Sequence, residues 1–409
     1  MSLSIRVPGS KSMTQRALVI AALAERPATL LGALPCDDSA LLSALLAELG
    51  VAVEWDGERV EVTPAPLRAS GEVLFCGNGG TAMRFGSCLS LLAEGELTLD
   101  GDARMRERPI GPLGLALEQL GVRVRYLGQH GCPPLALQRQ GPAPTRVTVD
   151  ASLSSQFGSG LLLVAPRLPR GLTVALEKDP VSLPYLRMTT RMMERAGVTV
   201  CWTDERTATV EPGLYLSQAV GQVLEVEPDW SSAAFLLAAA RVSQVELVIP
   251  GLADPASSLQ GDSVFAGFLE ELRRPLAHEI DLSHCPDLIA PLVATCLFAS
   301  HPTRIRGAAH TRVKESDRIA VLCRELGKIG AQFVEVRDGM DVFPLQRIVS
   351  AEVELDPSAD HRMAMAFGVV SLRVPGIRVR DPRCVTKSYP GFWPELERFR
   401  AQVALGEVS

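Results

Sequence analysis

The chain has 409 residues with a net charge of −6, and 47% of the residues are hydrophobic. This length suggests two or three domains with an ample core, and the acidic charge argues against a general nucleic-acid binder. The nine cysteines are scattered and form no CxxC pair, which argues against a disulfide framework or a zinc site and favours a reduced, cytoplasmic protein. No apolar run approaches the roughly 20 residues of a membrane span, and Arg6 and Lys11 interrupt any export signal.

Six short polar clusters along the chain each lead directly into an apolar, alanine-rich run of helical length. The clusters are Gly9–Ser12, Asn78–Thr81, Ser154–Gln156, Asp229–Ser232, Cys285–Asp287 and Asp360–Arg362. Their starting points recur every 58 to 76 residues, which predicts a degenerate sixfold repeat. The shortest interval follows Asp229, so the fourth repeat is expected to have lost material.

A second, amphipathic helix and short alternating segments follow each buried helix. Four of these second helices run into a glycine, the residue that commonly ends a helix. These are Gly50, Gly121, Gly197 and Gly330. Segments such as Val122–Arg125 and Phe333–Val336 alternate like strands. The repeat therefore has the order βαβαββ, and six copies predict two domains of three repeats each.

The helix starts are candidate anion sites, because unpaired backbone N–H groups at a helix N-terminus attract negative charge. Four of the six clusters have a nearby cation. These cations are Lys11 and Arg16, Arg84, Arg362, and, in the fifth repeat, Arg312, Lys314 and Arg318. The pattern predicts a site that holds several anionic groups at once. For each cation alone, a surface side chain at a capped helix is the simpler explanation.

Two further segments of the first half add candidates for anion binding. The adjacent Gly79 and Gly80 allow close approach of the backbone to a ligand. Three arginines fall within Asp102–Gly111, and Arg108 is the favoured one because Pro109 fixes the chain directly after it. A glycine-rich turn and a solvated charge run are the structural alternatives.

Uncharged donors in the third repeat suit a phosphorylated ring that carries several hydroxyl groups. They are Ser154, Ser155, Gln156, Ser182 and Tyr185. For each residue taken singly, ordinary helix capping is an equally simple explanation.

Two carboxylates in the fifth repeat could transfer protons. Asp287 stands at a helix start, where it serves either as a cap or as a general base. Glu315 lies between Lys314 and Arg318, whose spacing predicts one face of a single helix. The alternative for this segment is a surface helix with exposed salt bridges.

Eight segments in order resemble the EPSP synthase family, also named 3-phosphoshikimate 1-carboxyvinyltransferase. They are PGSKS-x-x-x-RA at Pro8–Ala17, GN-x-GTAMR at Gly77–Arg84, RERPIG at Arg106–Gly111, SSQF at Ser154–Phe157, SLPY at Ser182–Tyr185, RVKESDR at Arg312–Arg318, DHRMAM at Asp360–Met365, and Lys387. They span nearly the whole chain.

The resemblance implies an inside-out α/β barrel in each of two domains, with helix N-termini facing the interdomain cleft. Residues 10–222 would form the shikimate 3-phosphate domain. Residues 1–9 with 223–409 would form the second domain, which carries much of the phosphoenolpyruvate site. The implied reaction joins the enolpyruvyl group of phosphoenolpyruvate to the 5-hydroxyl of shikimate 3-phosphate by addition and elimination of phosphate. It needs no metal or organic cofactor, and the family habit is a monomer.

Site residues transfer position by position from the resemblance. Phosphoenolpyruvate contacts are implied for Lys11, Gly80, Arg84, Arg108, Gln156, Arg318, Arg362 and Lys387. Shikimate 3-phosphate contacts are implied for Lys11, Ser12, Arg16, Ser154, Ser155, Gln156, Ser182, Tyr185, Asp287, His310 and Lys314. Asp287 would act as base at the 5-hydroxyl, and Glu315 would exchange a proton with the methylene. Lys11 and Lys314 would stabilise charge, and Lys11 is the alternative acceptor of the hydroxyl proton.

A few positions depart from the enteric and plant pattern of the family. Gly79, Gln15 and the Phe85-Gly86 pair replace residues that are frequent there, and His310 stands where an asparagine often contacts shikimate 3-phosphate. Gly80 matches the glyphosate-sensitive class, so inhibition competitive with phosphoenolpyruvate is expected.

Three other functions compete with this interpretation. A sister transferase acting on UDP-N-acetylglucosamine normally has a loop cysteine, which Arg104–Gly111 lacks, and Lys-Asn in place of Lys11-Ser12. An inactive anion-binding relative would not need the full set of charged residues that this chain retains. An RNA-end-processing enzyme on a related fold fits poorly with the acidic net charge.

Overall fold

The chain divides into two compact units. The computed structural model describes residues 2–216, 222–347 and 352–407. The central unit comprises Gly9–Glu227, and the terminal unit comprises Met1–Pro8 with Pro228–Ser409. Each unit combines helices with small sheets, which confirms the predicted α/β fold class. The first strand, β1 (Leu3–Ser4), belongs to the terminal unit.

The central unit contains three copies of one pattern: helix, strand, helix and three strands. The first copy is α1 (Lys11–Ala22), β2 (Ala28–Leu31), α2 (Asp37–Glu48), β3 (Ala52–Asp56), β4 (Arg59–Thr63) and β5 (Val73–Phe75). The second is α3 (Gly80–Leu89), β6 (Glu96–Asp100), α4 (Gly111–Gln119), β7 (Val122–Tyr126), β8 (Leu135–Arg139) and β9 (Arg146–Val149). The third is α5 (Gln156–Val164), β10 (Leu172–Leu176), α6 (Leu183–Arg195), β11 (Val200–Trp202), β12 (Thr207–Val210) and β13 (Val223–Glu225).

Each repeat of the central unit builds one four-stranded sheet with a shared topology. The strand orders are β13-β2-β4-β3, β5-β6-β8-β7 and β9-β10-β12-β11. In every sheet the first two strands are parallel and the remaining pairs are antiparallel. The last strand of one repeat therefore serves as the outer parallel strand of the next sheet.

Strand β13 closes the central unit. It pairs in parallel with β2, and Val223 lies opposite Thr29. The central unit runs from Gly9 to Glu227, and the resemblance places the domain boundary near residue 222. The pairing joins the two ends of the unit, a contact that no local periodicity reports.

The composition of the buried helices explains why they lie in the interior. All ten residues of α3 are buried, as are the last ten residues of α1. Both helices are mostly apolar, which favours the interior, although each also buries an arginine, Arg16 in α1 and Arg84 in α3. The amphipathic helices α2, α4 and α6 end before Gly50, Gly121 and Gly197, and these glycines adopt the predicted positive φ.

The terminal unit contains a reduced version of the repeat. Its helices are α7 (Trp230–Ser243), α8 (Phe265–Glu271), α9 (Ile289–Cys296), α10 (Arg318–Gly327), α11 (His361–Val370) and α12 (Phe392–Glu407). Its other strands are β14 (Leu247–Val248), β15 (His278–Asp281), β16 (Thr303–Arg306), β17 (Phe333–Val336), β18 (Gly339–Val342), β19 (Val353–Leu355) and β20 (Ile377–Val379). The core is built mainly from α7, α9 and α11, with further residues from α10 and α12.

Two of the three predicted repeats of the terminal unit are incomplete in the part of the chain that is described. The fifth repeat forms a four-stranded sheet, β15-β16-β18-β17, whereas β1-β14 and β19-β20 are parallel pairs. No hairpin lies between α8 and β15 in the fourth repeat. This confirms the predicted loss of residues from that repeat, whose interval is 58 residues. In the sixth repeat α12 is the second helix after β20, and the hairpin that follows the second helix in the fifth repeat does not occur among the described residues. Among the described helices, none has the length and apolarity needed to cross a membrane.

Candidate active site

The buried helices differ in how their first turns are capped. In the central unit, the N-cap residues of α1, α3 and α5 are Ser10, Gly79 and Ser155, and within the described structure none caps its helix through a side chain. In the terminal unit, Asp229 and Asp360 cap α7 and α11 through their carboxylates, whereas α9 has no side-chain cap. Because uncapped first turns keep N–H groups available for an anion, α1 and α3 are better anion sites than α7 and α11.

Two arginines flank Gly80 at the start of α3. Arg84 donates to the carbonyl oxygens of Gly80 (3.0 Å) and Pro109 (3.4 Å). Arg108 donates to the carbonyl (3.1 Å) and the side-chain oxygen (2.9 Å) of Asn78. A methyl group on Gly80 would lie 2.7 Å from Arg84 and 2.8 Å from Arg108, so both guanidinium groups lie against this glycine. Two neighbouring buried cations beside a helix N-terminus favour an anion between them.

Lys11 is the first residue of α1, and its ammonium group is ion-paired. The Lys11 Nζ lies 2.8 Å from an oxygen of Asp38, which stands in the first turn of α2. Lys11 is 14% exposed and therefore accessible to a ligand that competes with Asp38. The sequence had pointed to Lys11 but not to Asp38.

Arg16 is held in a pocket of neutral oxygens. It donates to the hydroxyls of Thr189 (2.7 Å) and Ser159 (3.3 Å) and to the carbonyl oxygens of Ser12 (2.8 Å) and Tyr185 (3.2 Å). Burial lowers the pKa of Arg16 to about 10, which still keeps it protonated near neutral pH. Neutral oxygen atoms thus hold the charge of Arg16 in place in the second turn of α1.

The uncharged candidates of the third repeat lie at helix starts. The Ser154 hydroxyl accepts from the backbone N–H of Gln156, and the Gln156 side chain donates to the Thr81 hydroxyl at 3.1 Å. This contact joins the beginnings of α5 and α3. Ser182 is the buried N-cap of α6 with left-handed backbone (φ 56°), and Tyr185 lies in the first turn of that helix.

In the terminal unit, Asp287 is the centre of a cluster of cations. Its Oδ1 lies 2.9 Å from Lys314 and 2.8 Å from Arg318, and its Oδ2 lies 3.0 Å from Arg362. Burial on its own would raise the pKa of the Asp287 carboxyl, but the charges of Arg362, Lys314 and Arg318 hold that pKa well below its usual range. Asp287 is therefore ionised at neutral pH.

Arg318 links Asp287 to two further carboxylates. Its guanidinium lies 2.8 Å from Asp360 and 3.0 Å from Glu315. Glu315 also lies 3.5 Å from the ammonium of Lys387. Burial opposes the charged form of Arg318, but the three carboxylates outweigh it and raise its pKa above the usual value.

The prediction that Lys314 and Arg318 share one helix face is wrong. Lys314 follows a 3-10 turn, Ala309–Val313, and α10 begins only at Arg318. The reason is Asp317, whose carboxylate accepts from the N–H of Ala320 and starts the helix there. The two cations meet nonetheless, because both bind Asp287.

Two groups beside Asp287 have pKa values lowered by burial. Burial lowers the pKa of Lys314, and Asp287 only partly opposes this. Burial and the charge of Lys314 lower the pKa of His310 to about 3, so its imidazole is neutral. The His310 Nε2 has no hydrogen-bond partner among the described residues. A neutral imidazole of this kind can bond to a hydroxyl group of a ligand.

Each unit brings its own set of predicted residues together. The structure adds several that the sequence did not single out: Asp38, Ser159, Thr189 and Asp262. Chemically, the central unit offers cations, hydroxyls and open helix starts for anionic groups. The terminal unit offers carboxylates among cations, the combination that proton transfer beside bound anions requires.

Comparison with known proteins gives one family. The sequence matches the family model described as EPSP synthase (3-phosphoshikimate 1-carboxyvinyltransferase) over residues 1–396. Relatives named 3-phosphoshikimate 1-carboxyvinyltransferase from Syntrophobacter fumaroxidans and Shewanella pealeana are each 36% identical, over 97% and 96% of both chains respectively. A solved EPSP synthase from Acinetobacter baumannii has a TM-score of 0.76 at 24% identity, covering 97% of this chain and 95% of that one. The chain belongs to the EPSP synthase family.

Proposed function

We propose that this protein transfers the enolpyruvyl group of phosphoenolpyruvate to the 5-hydroxyl of shikimate 3-phosphate and releases phosphate. The partly buried carboxylate of Asp287, held ionised by three cations, is the observation that carries this proposal. A reaction between two phosphorylated anions needs both a proton acceptor and many cations, and the family match extends over nearly the whole chain.

In the proposed addition step, Asp287 takes the proton of the 5-hydroxyl while the oxygen attacks C2 of phosphoenolpyruvate. Glu315, in its protonated form, delivers a proton to the C3 methylene, which gives a tetrahedral ketal. In the elimination step Glu315 takes a proton back from C3, the C2–O bond to phosphate breaks, and the double bond forms again. The hydroxyl proton leaves Asp287 with the released phosphate.

Substrate charge makes Asp287 a better base than it is in the free protein. Lys314, Arg318 and Arg362 hold its pKa low when they contact only protein carboxylates. Phosphate and carboxylate groups of the substrates share these cations and add negative charge nearby. Both effects raise the proton affinity of a neighbouring carboxylate. The same shift favours the protonated form of Glu315 that the addition step requires.

The cations are assigned to phosphoenolpyruvate on the basis of their placement. Arg84 and Arg108 flank Gly80 in the central unit, and Arg318, Arg362 and Lys387 surround Asp287 and Glu315 in the terminal unit. We assign Lys11 and Gln156 to both substrates. The unit of residues 228–409 thus supplies much of the proposed phosphoenolpyruvate site.

We assign a set of neutral and charged side chains to the hydroxyl, carboxylate and phosphate groups of shikimate 3-phosphate. The proposed contacts are Lys11, Ser12, Arg16, Ser154, Ser155, Gln156, Ser182, Tyr185, Asp287, His310 and Lys314. The neutral imidazole of His310 supports its assignment, because it takes over the hydrogen-bonding role of an amide without adding charge. We further propose a cytoplasmic monomer that needs no metal or cofactor.

The test is phosphate release by the purified protein with phosphoenolpyruvate plus either shikimate 3-phosphate or UDP-N-acetylglucosamine. Release with shikimate 3-phosphate alone is expected, and Lys11→Met should abolish it. Lys328, the C-cap residue of α10 at the opposite end of that helix from Arg318, pairs with Glu325 and gives the control Lys328→Met with unchanged activity. Release with the sugar nucleotide alone would overturn the substrate assignment, and no release with either would favour an inactive relative.

Glyphosate is expected to inhibit this enzyme competitively with phosphoenolpyruvate. Glyphosate carries a phosphonate and a carboxylate, which match the two anionic ends of phosphoenolpyruvate, and Gly80 leaves the space between Arg84 and Arg108 open. Initial rates at several concentrations of both compounds should give a common intercept in a double-reciprocal plot. Full activity at millimolar-range glyphosate would show that this prediction is wrong.

Replacement of Gly80 by alanine is expected to weaken phosphoenolpyruvate binding. The added methyl group would come within 3 Å of both Arg84 and Arg108 and must displace their guanidinium groups. Loss of about 1.4 kcal/mol of binding corresponds to a tenfold higher KM for phosphoenolpyruvate. The KM for shikimate 3-phosphate should change less. Gly141→Ala is the matched control, because a Cβ atom at that glycine meets nothing within 4 Å.

A further inference from the structure

Arg16 is a buried cation that bonds only to neutral groups. Its exposed fraction is 2%, and among the described residues all its hydrogen bonds go to the hydroxyls of Thr189 and Ser159 and to the carbonyl oxygens of Ser12 and Tyr185. A buried charge without an opposite charge is costly, because it has lost its hydration. Other features of its surroundings should therefore stabilise this cation.

The aromatic ring of Phe85 supplies part of this stabilisation. Phe85 lies in α3, and the guanidinium carbon of Arg16 is 5.6 Å from the centre of its ring. The face of an aromatic ring attracts a cation within about 6 Å, and most strongly where water is excluded. Phe85 is as deeply buried as Arg16, so this contact is a desolvated one. The ring of Tyr185, which is only half-buried, lies further away at 6.0 Å.

Neighbouring helices fix the position of the Phe85 ring. A Cβ atom added at Gly160, in α5, would lie 3.3 Å from that ring, so α3 and α5 leave little space at this point. A Cβ atom at Gly86 would lie 2.6 Å from Leu45 of α2, so the small residue after Phe85 allows α3 to approach α2 closely. The Phe85-Gly86 pair departs from the enteric and plant pattern of the family. The contact with Arg16 therefore depends on a residue that is not the frequent one in that pattern.

A ring stabilises a cation without neutralising it. A carboxylate partner competes with an anionic ligand, as Asp38 does at Lys11, whereas a ring leaves the charge of the guanidinium to the ligand. We propose that Phe85 is a positioning residue, which holds the Arg16 guanidinium in the arrangement that binds shikimate 3-phosphate. The inference rests on the proposed function, because that function assigns Arg16 to this substrate. Phe85 itself is assigned to neither substrate and acts through Arg16.

A second arginine of the same unit provides a matched comparison. The guanidinium carbon of Arg84 lies 5.8 Å from the ring centre of Phe157, a fully buried residue in the first turn of α5. Arg84 is assigned to phosphoenolpyruvate and not to shikimate 3-phosphate. Each ring therefore contacts the arginine of a different proposed substrate, and the loss of one ring should affect one substrate more than the other.

The test measures the Kd of shikimate 3-phosphate by calorimetry and the KM of phosphoenolpyruvate at saturating shikimate 3-phosphate. In Phe85→Leu the Kd should rise roughly tenfold, equivalent to about 1.4 kcal/mol, because the guanidinium must be ordered again when the ligand binds. The KM should change little. Phe157→Leu should show the reverse pattern. If Phe85→Leu changes neither constant, or raises both by the same factor, the ring only fills space and the proposal is wrong.

Phe265→Leu is the control for the loss of a buried ring. Phe265 lies in α8 and is fully buried, and in the described parts of the chain no guanidinium lies over its ring. All three variants should melt at a lower temperature than the wild type, because each removes buried apolar contacts. Phe265→Leu should nevertheless leave the Kd of shikimate 3-phosphate unchanged. A rise in Kd equal to that of Phe85→Leu would attribute the effect to lost stability and would overturn the proposal.

A fluorinated ring tests the charge interaction without removing the side chain. Trifluorophenylalanine at position 85 has nearly the shape of phenylalanine, but its fluorine atoms withdraw electron density from the ring face that Arg16 contacts. The Kd of shikimate 3-phosphate should rise, although the melting temperature stays near that of the wild type. An unchanged Kd would overturn the proposal. A wild type that binds shikimate 3-phosphate but releases no phosphate from phosphoenolpyruvate would refute the proposed function, and the comparison of Kd values would still test Phe85.

Discussion

Replacement of Asp287 by asparagine is expected to lower kcat by two to four orders of magnitude, the range for loss of a general base. The KM for phosphoenolpyruvate should stay the same or fall, because Lys314, Arg318 and Arg362 would then have one negative partner fewer. Steady-state rates at saturating shikimate 3-phosphate measure both constants. A large loss in kcat without a rise in KM is the signature of a group that acts in the chemical step.

Asp341→Asn provides the matched control for Asp287→Asn. Asp341 is in the same unit and pairs with one arginine, Arg306, at 2.7 Å, but it lies at β18 and away from the cluster. Its kcat should equal that of the wild type. If Asp287→Asn retains more than a tenth of the wild-type kcat, Asp287 is not the main proton acceptor. Lys11 would then be the residue to replace next.

The repeat was predictable because its signals are local. A polar helix start, an apolar run and a glycine stop act within a few residues of one another, and the predicted stops at Gly50 and Gly121 have the expected positive φ. Sheet closure is not local in this sense. The pairing of Val223 with Thr29 joins the two ends of the central unit, and no local signal in the sequence reports it.

The start of a helix was harder to predict where two signals in the sequence conflict. In the segment Arg312–Arg318 the spacing of Lys314 and Arg318 matches a helix, but Asp317 between them is a stronger start signal. The sequence therefore predicted that these two cations lie close together, but not for the reason that the structure gives. What brings them together is Asp287, which is 27 residues from Lys314 and 31 from Arg318.

The residues that hold the candidate site residues in place could not be predicted from the sequence. Thr189 lies in the middle of an amphipathic helix, 173 residues from the Arg16 that it holds. Asp38 is one of two adjacent aspartates in the first turn of α2, and nothing local shows which of them meets Lys11. Each of these residues also has an ordinary local role in its own helix. Only the tertiary contacts therefore reveal its role at the site.

Asp360 combines three tasks in one buried side chain. It caps α11 by accepting from the N–H of Arg362, accepts from the Ser316 hydroxyl at 3.0 Å, and pairs with the guanidinium of Arg318 at 2.8 Å. Both partners of this ion pair are almost fully buried. Because asparagine can also cap a helix, Asp360→Asn removes chiefly the negative charge.

Asp360→Asn is expected to destabilise the terminal unit by about 3 kcal/mol, the lower end of the range for removing one partner of a buried ion pair. Arg318 would remain buried with Glu315 and Asp287 only. For a unit of this size the melting temperature should fall by roughly 6–12 °C in calorimetry. Asp317→Asn is the control: it alters a cap whose arginine partner, Arg312, is partly exposed, and should cost no more than about 1 kcal/mol. Equal melting temperatures for the two variants would mean that the buried charge pair adds nothing beyond the cap.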